Sequence, residues 1–128
     1  MISVKKGFKI MSDSASSSRE IAQAAVDALN DKKALDVKVI DISSISIMAD
    51  YFIIASGSNT NQIQAMCDNV REKLSDIEYS PKHIEGYDSA NWILLDYSDV
   101  VIHLFDKESR SFYNLERIWS DGAEITSF

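Results

Sequence analysis

The chain has a single cysteine, Cys67, in 128 residues, which excludes an intramolecular disulfide and leaves no Cys/His cluster with tetrahedral metal-ligand spacing. Long apolar runs are missing too. The longest, Trp92 to Leu95 and Val100 to Phe105, are strand-sized and far short of the ~20 residues of a membrane-spanning helix. Histidine occurs only at His83 and His103, and neither adjoins a glycine-flanked serine on a strand-to-helix elbow, so a nucleophilic triad has no framework. Basic residues are in deficit. The net charge is −7, and because Lys5, Lys6 and Lys9 stand in a first stretch free of acids, residues 12–128 hold 10 basic against 20 acidic groups. A body that acidic is a poor direct binder of nucleic acid and suits a basic protein surface, unless the charge serves solubility alone. The opening MISVKKGFKIM lacks the apolar core and small-residue cleavage site of a secretory signal, and no Arg-rich amphipathic leader precedes the acidic body. A cytoplasmic protein without a membrane partner is expected.

With 45% hydrophobic and 26% charged residues, the length suits one domain. Ser17 with Glu20 matches a capping box, and Ile21, Ala24, Ala25, Ala28 and Leu29 form a small-residue stripe, predicting a first helix. Alternation over Asp36 to Ile42 predicts a strand, and Tyr51 to Ser56 reads as a strand buried on both faces. After Gly57, capping chemistry at Ser58-Asn59-Thr60 introduces a second helix with Ile63, Met66, Cys67, Val70 and Leu74 on its apolar stripe, which makes Cys67 a packed thiol. A short strand is expected over Lys82 to Glu85. A helix opened by Ser109 follows the hairpin described below, with Phe112, Leu115, Ile118 and Trp119 on one side. These readings give an α/β fold: a single domain with a mixed, mostly five-stranded sheet and flanking helices. Residues 1–18 are expected as a flexible tail, 19–120 as the domain and 121–128 as a C-terminal tail.

The stretch NWILLDYSDVVIHLFD, Asn91 to Asp106, has the pattern of a β-hairpin with its break at Ser98-Asp99. One face carries Ile93, Leu95, Tyr97, Val100, Ile102 and Leu104. The other mixes Trp92, Leu94 and Asp96 with Val101, His103 and Phe105, and large aromatics beside ionisable groups suit recognition of a partner. The alternative is a buried carboxylate–imidazole pair between Asp96 and His103. Enzymatic readings are weaker. Ser56-Gly57-Ser58 between strand and helix could favour an anion, but no Asp-x-Asp pair follows to hold Mg²⁺, and Gly57 to Asn69 holds no Arg or Lys for a phosphoryl group. A binding module without catalytic residues, cofactor or metal is expected, with a nucleotidyltransferase-related nucleotide-binding protein as the alternative.

WILLDYSDVVIHLF followed by RSFYNLERIW closely resembles the signature of the Iojap/RsfS family of ribosomal silencing factors, and ADYFIIASGSNTNQIQA resembles the family's earlier motif. The likeness runs from about Glu20 to Trp119. Ser98 departs from it, standing where the family commonly has glycine, and a type I turn would accept it. The resemblance implies a nucleotidyltransferase-like topology without the catalytic carboxylates. It also implies binding to the large ribosomal subunit through its fourteenth ribosomal protein, which blocks joining of the small subunit and lowers translation when nutrients are scarce. Trp92, Asp96, His103 and Phe105, with Tyr113 from the next helix, are the expected contact residues, and Arg110 is expected to tie the hairpin end to Glu116 or Asp106. A homodimer is expected for the free protein.

Overall fold

The computed structural model describes residues 14–118 and 123–125. Helix α1 (Ser14–Asp31) leads into strands β1 (Leu35–Asp41) and β2 (Tyr51–Gly57), helix α2 (Thr60–Asp76), then β3 (His83–Glu85), β4 (Trp92–Asp96) and β5 (Val100–Asp106). Two short helices, α3 (Lys107–Tyr113) and α4 (Leu115–Ile118), and strand β6 (Ala123–Ile125) complete it. The sheet has six strands in the order β3-β4-β5-β2-β1-β6. Among the described residues only β2 and β5 pair in parallel; the other ladders are antiparallel. The expected five strands are all present, and β6 adds a sixth at the edge.

Both long helices cover one face of this sheet. The small-residue stripe of α1 lets its backbone come close, with Ile21, Ala22, Ala25, Ala28 and Leu29 buried and Ala24 at the margin. In α2 the five predicted stripe residues are buried, Cys67 among them, and burial pushes its thiol up to about 12. These side chains meet Ile53, Ala55, Ile93, Leu95, Val100, Ile102 and Leu104 in one core. At about 25 cal/mol per Å² of buried apolar surface, this layer dominates the stability of the fold.

Four local expectations are corrected. Helix α1 has already begun at Ser14, so Ser17 is inside it and is not its cap. Serine costs only a few tenths of a kcal/mol per residue in a helix, and the buried Ser18 hydroxyl donates to Asp50 Oδ2 at 2.8 Å, fastening the first turns to the entry of β2. Residues 14–18 and 123–125, expected in tails, thus belong to regular elements. The hairpin break is not a type I turn: Ser98 has φ 70°, and the Asp99 N–H donates to Tyr97 O across it, closing a three-residue turn. The helix after the hairpin starts at Lys107 rather than Ser109, because the Asp106 carboxylate accepts the Ser109 N–H at 2.7 Å. It stops at Asn114, which takes the left-handed conformation that asparagine tolerates (φ 48°). The break turns Phe112 out to solvent, 80% exposed, while Leu115 beyond it is buried. Trp119, expected on the same side, lies outside the described residues, as does the Ile118 side chain.

Candidate functional site

Strand alternation gives the sheet a second face, which α1 and α2 do not cover. Its register aligns three rows of side chains. Trp92, Phe105 and Ser56 form the row next to α3; Leu94, His103 and Ile54 form the middle row; Asp96, Val101 and Phe52 form the far one. Sparse cover leaves Trp92, Leu94, Val101 and Phe52 half-buried.

An aromatic stack occupies the α3 end. The Trp92 and Phe105 rings lie 5.0 Å apart, Tyr113 caps Trp92 at 4.7 Å, and Phe112 stands edge-on to Tyr113 at 5.1 Å. The indole Nε1–H of Trp92 donates to His103 Nδ1 at 3.0 Å. An indole can only donate, so Nδ1 is unprotonated and the neutral ring carries its proton on Nε2. Burial lowers the His103 pKa to about 4, keeping the ring neutral at pH 7. Its Nε2 is buried and has no hydrogen-bond partner among the described residues. The stack therefore holds Trp92 in one orientation with its polar edge already satisfied, and leaves the ring for apolar contact.

The expected site residues separate into two layers and two places. Tyr113 is exposed and Trp92 partly so. His103 and Phe105 are not: at 3% and 0% exposure they lie beneath and pack against the Trp92 ring. Asp96 is on the same face but four residues along the strand from Trp92, about 13 Å away. The carboxylate–imidazole pair with His103 does not form, because the register sets His103 opposite Leu94 and Asp96 opposite Val101. Asp96 instead accepts the Ser98 N–H at 2.8 Å and lies 3.8 Å from the exposed His83. Sequence reasoning missed Phe112, whose helical spacing pointed inward, and Ile45, Ile47 and Met48 in the connection between β1 and β2, all exposed.

A polar pocket of about 370 Å³ lies at the ends of the parallel strands, where a nucleotidyltransferase would place its phosphates, and its arginine is already engaged. The buried Arg110 donates to Glu116 Oε2 at 2.9 Å and Ser56 Oγ at 2.9 Å, with Asp36 at 3.5 Å. Of the two partners expected for it, Glu116 is the one used, and Asp106 serves as the α3 cap. At the start of α2 the Ser58 N–H donates to Gln62 Oε1 at 2.6 Å and the Gln62 N–H to Asn59 Oδ1 at 2.8 Å, so these two amides point at the chain's own side chains. Among the described residues, no group of His, Cys, Asp or Glu side chains is placed to hold a metal ion.

Residues 15–127 match the family model described as ribosomal silencing factor during starvation, RsfS. The chain belongs to the RsfS family. It is similar to the ribosomal silencing factor RsfS of Halalkalibacterium halodurans, 38% identical over 85% of this chain and 93% of that one. A mouse protein named mitochondrial assembly of ribosomal large subunit protein 1 is 32% identical over 74% of this chain and 43% of its own length. A crystal structure of a protein from Chromobacterium violaceum superposes with a TM-score of 0.78 at 31% identity, covering 86% of this chain and 90% of that one.

Proposed function

We propose that this RsfS-family protein binds the large ribosomal subunit in the cytoplasm, at the fourteenth ribosomal protein, and blocks joining of the small subunit by occupying the surface between them. No bond is made or broken, and no catalytic residue or cofactor is needed. The observation that carries this reading is the Trp92 stack: a partly exposed tryptophan, held by His103 and Phe105 beneath and capped by the exposed Tyr113, on the sheet face that the long helices do not cover. A rigid aromatic anchor of this kind is the usual centre of a protein–protein hot spot. The acidic body favours a basic ribosomal protein as the counterpart. In the free protein the same face pairs with a second copy, so that dimerisation and ribosome binding compete.

Co-sedimentation with purified large subunits tests it, using the intact protein and Trp92→Ala, with the variant's fold verified by circular dichroism. The intact protein pellets with the large subunit, and Trp92→Ala binds about 30-fold more weakly, as loss of an anchor worth about 2 kcal/mol requires. An intact protein that stays in the supernatant at low salt rejects the reading.

A further inference from the structure

Helix α3 is seated by a guanidinium where a surface helix is ordinarily seated by apolar packing. Of its seven residues, all of them described, Arg110 alone is buried. Its two aromatic residues are on the outside, Phe112 80% and Tyr113 46% exposed, so the apolar stripe that docks most amphipathic helices is missing. The chain enters α3 through the Asp106 cap and leaves it at the left-handed Asn114, and Leu115 is buried only past that break. Between those ends, Arg110 supplies the one buried side chain that joins α3 to the sheet.

The fork bonds three separate segments at once. Nη1 donates to Ser56 Oγ on β2 at 2.9 Å and to the Leu35 carbonyl oxygen on β1 at 3.5 Å, while Nη2 and Nε both donate to Glu116 Oε2 in α4, at 2.9 and 3.3 Å. A planar fork fixes orientation as well as distance, which the point charge of a lysine does not. Ser56 belongs to the same row of the sheet as Phe105 and Trp92, two strands and about 10 Å from Trp92. Tyr113, three residues after Arg110 and so its neighbour on the helix, lies over the other end of that row, 4.7 Å from the Trp92 ring and 6.4 Å from that of Phe105. One end of the row holds the helix, and the other receives the ring that the helix carries.

We infer that Arg110 is a positioning residue for the aromatic stack: its fork to Ser56 and Glu116 sets the height and angle of α3, and with them the place of Tyr113 over Trp92. Being buried, Arg110 acts through Tyr113. Its effect on binding rests on the reading above, that the large subunit is the partner; its effect on Trp92 does not.

The test uses the full chain with Trp119→Phe, which leaves Trp92 as its only tryptophan. Acrylamide quenching of Trp92 fluorescence is compared in Arg110→Lys, Tyr113→Ala and the double variant, each first shown to be folded by circular dichroism. Lysine keeps the charge and loses the fork. Each single variant is expected to raise the quenching constant about twofold and the double variant no further, because both remove the same cover and residues acting as one unit are not additive. Ser56→Ala, which takes away the sheet arm and leaves Glu116, raises quenching in the same direction by less, and it replaces Arg110→Lys should that variant not fold. Co-sedimentation with purified large subunits follows the same pattern, each single variant about fivefold weaker and the double variant no weaker than either. Unchanged quenching in folded Arg110→Lys, or in Ser56→Ala if that variant stands in for it, overturns the assignment. So do effects of Arg110→Lys and Tyr113→Ala that multiply, since Arg110 would then act on the stack by another route. If quenching responds as expected and the intact protein does not pellet, the reading of the partner fails and Arg110 keeps its role.

Discussion

His103 decides how Trp92 is presented, and the decision is chemical. The imidazole accepts from the indole only while Nδ1 is unprotonated, and burial keeps it so at pH 7 by lowering its pKa to about 4. In the unfolded chain the same group titrates near 6.5, so between these values the unfolded state binds a proton that the native state refuses. Stability contributed by the neutral ring is therefore complete above about pH 6.5 and is lost as pH falls toward 4, about 3 kcal/mol in all. Urea unfolding at pH 7 and pH 4.5 checks this against His103→Gln, whose amide oxygen can still accept from Trp92 but cannot titrate. The intact protein loses more stability than the variant over that interval; equal losses would assign the pH dependence to other groups. The separation of contact from support is of the same kind. Trp92, His103 and Phe105 share a face by alternation, which the sequence displays, whereas the burial of two of them depends on Tyr113 and Phe52 folding over them.

Among the elements, the turns account for most of the departures from expectation. The turn at Ser98 holds an L-residue at φ 70°, which costs about 1–2 kcal/mol relative to glycine, offset in part by the about 0.5–1 kcal/mol of chain entropy that glycine adds to the unfolded state. Ser98→Gly is accordingly expected to stabilise the protein by up to about 1 kcal/mol in urea unfolding, with Asp96 keeping its place; destabilisation would show that the Ser98 side chain has a role that the turn geometry does not reveal. Gly86 is a case where no such exchange is open. It has φ 80°, and a β-carbon there would run into the Trp92 carbonyl oxygen, so the approach to β4 depends on it. The α3–α4 break is a third instance. Continuous helical spacing placed Phe112 beside Leu115, but Asn114 interrupts the helix, and Arg110 holds the corner by bonding Glu116 across it and Ser56 on β2. A break set by one left-handed residue and one buried guanidinium leaves no trace in hydrophobic periodicity.

For the whole molecule, the acidity of residues 12–128 becomes a kinetic property if the partner is a basic ribosomal protein. Association with purified large subunits is expected to slow as salt rises from low ionic strength to about 0.15 M, where charges beyond about 8 Å are screened, while dissociation changes little. Stopped-flow mixing measures this, and a salt-independent rate would leave the charge with solubility alone. The architecture that carries the charge was largely open to reading from the residues. Alternation and helical stripes are local periodicities, so the order of α1, β1, β2, α2, β3, β4 and β5, the buried stripe of α2 and the two faces of the hairpin follow from the sequence by itself. So does RsfS-family membership, because the motifs are contiguous. What only the tertiary structure decided depends on contacts between distant segments: the start of α1, fastened by Ser18 to Asp50; the edge strand β6, paired with β1; and the choice of Trp92 over Asp96 as the partner of His103. Periodicity assigns a side chain to a face, but whether it is then covered, paired or left to solvent depends on which segments of the chain fold across it.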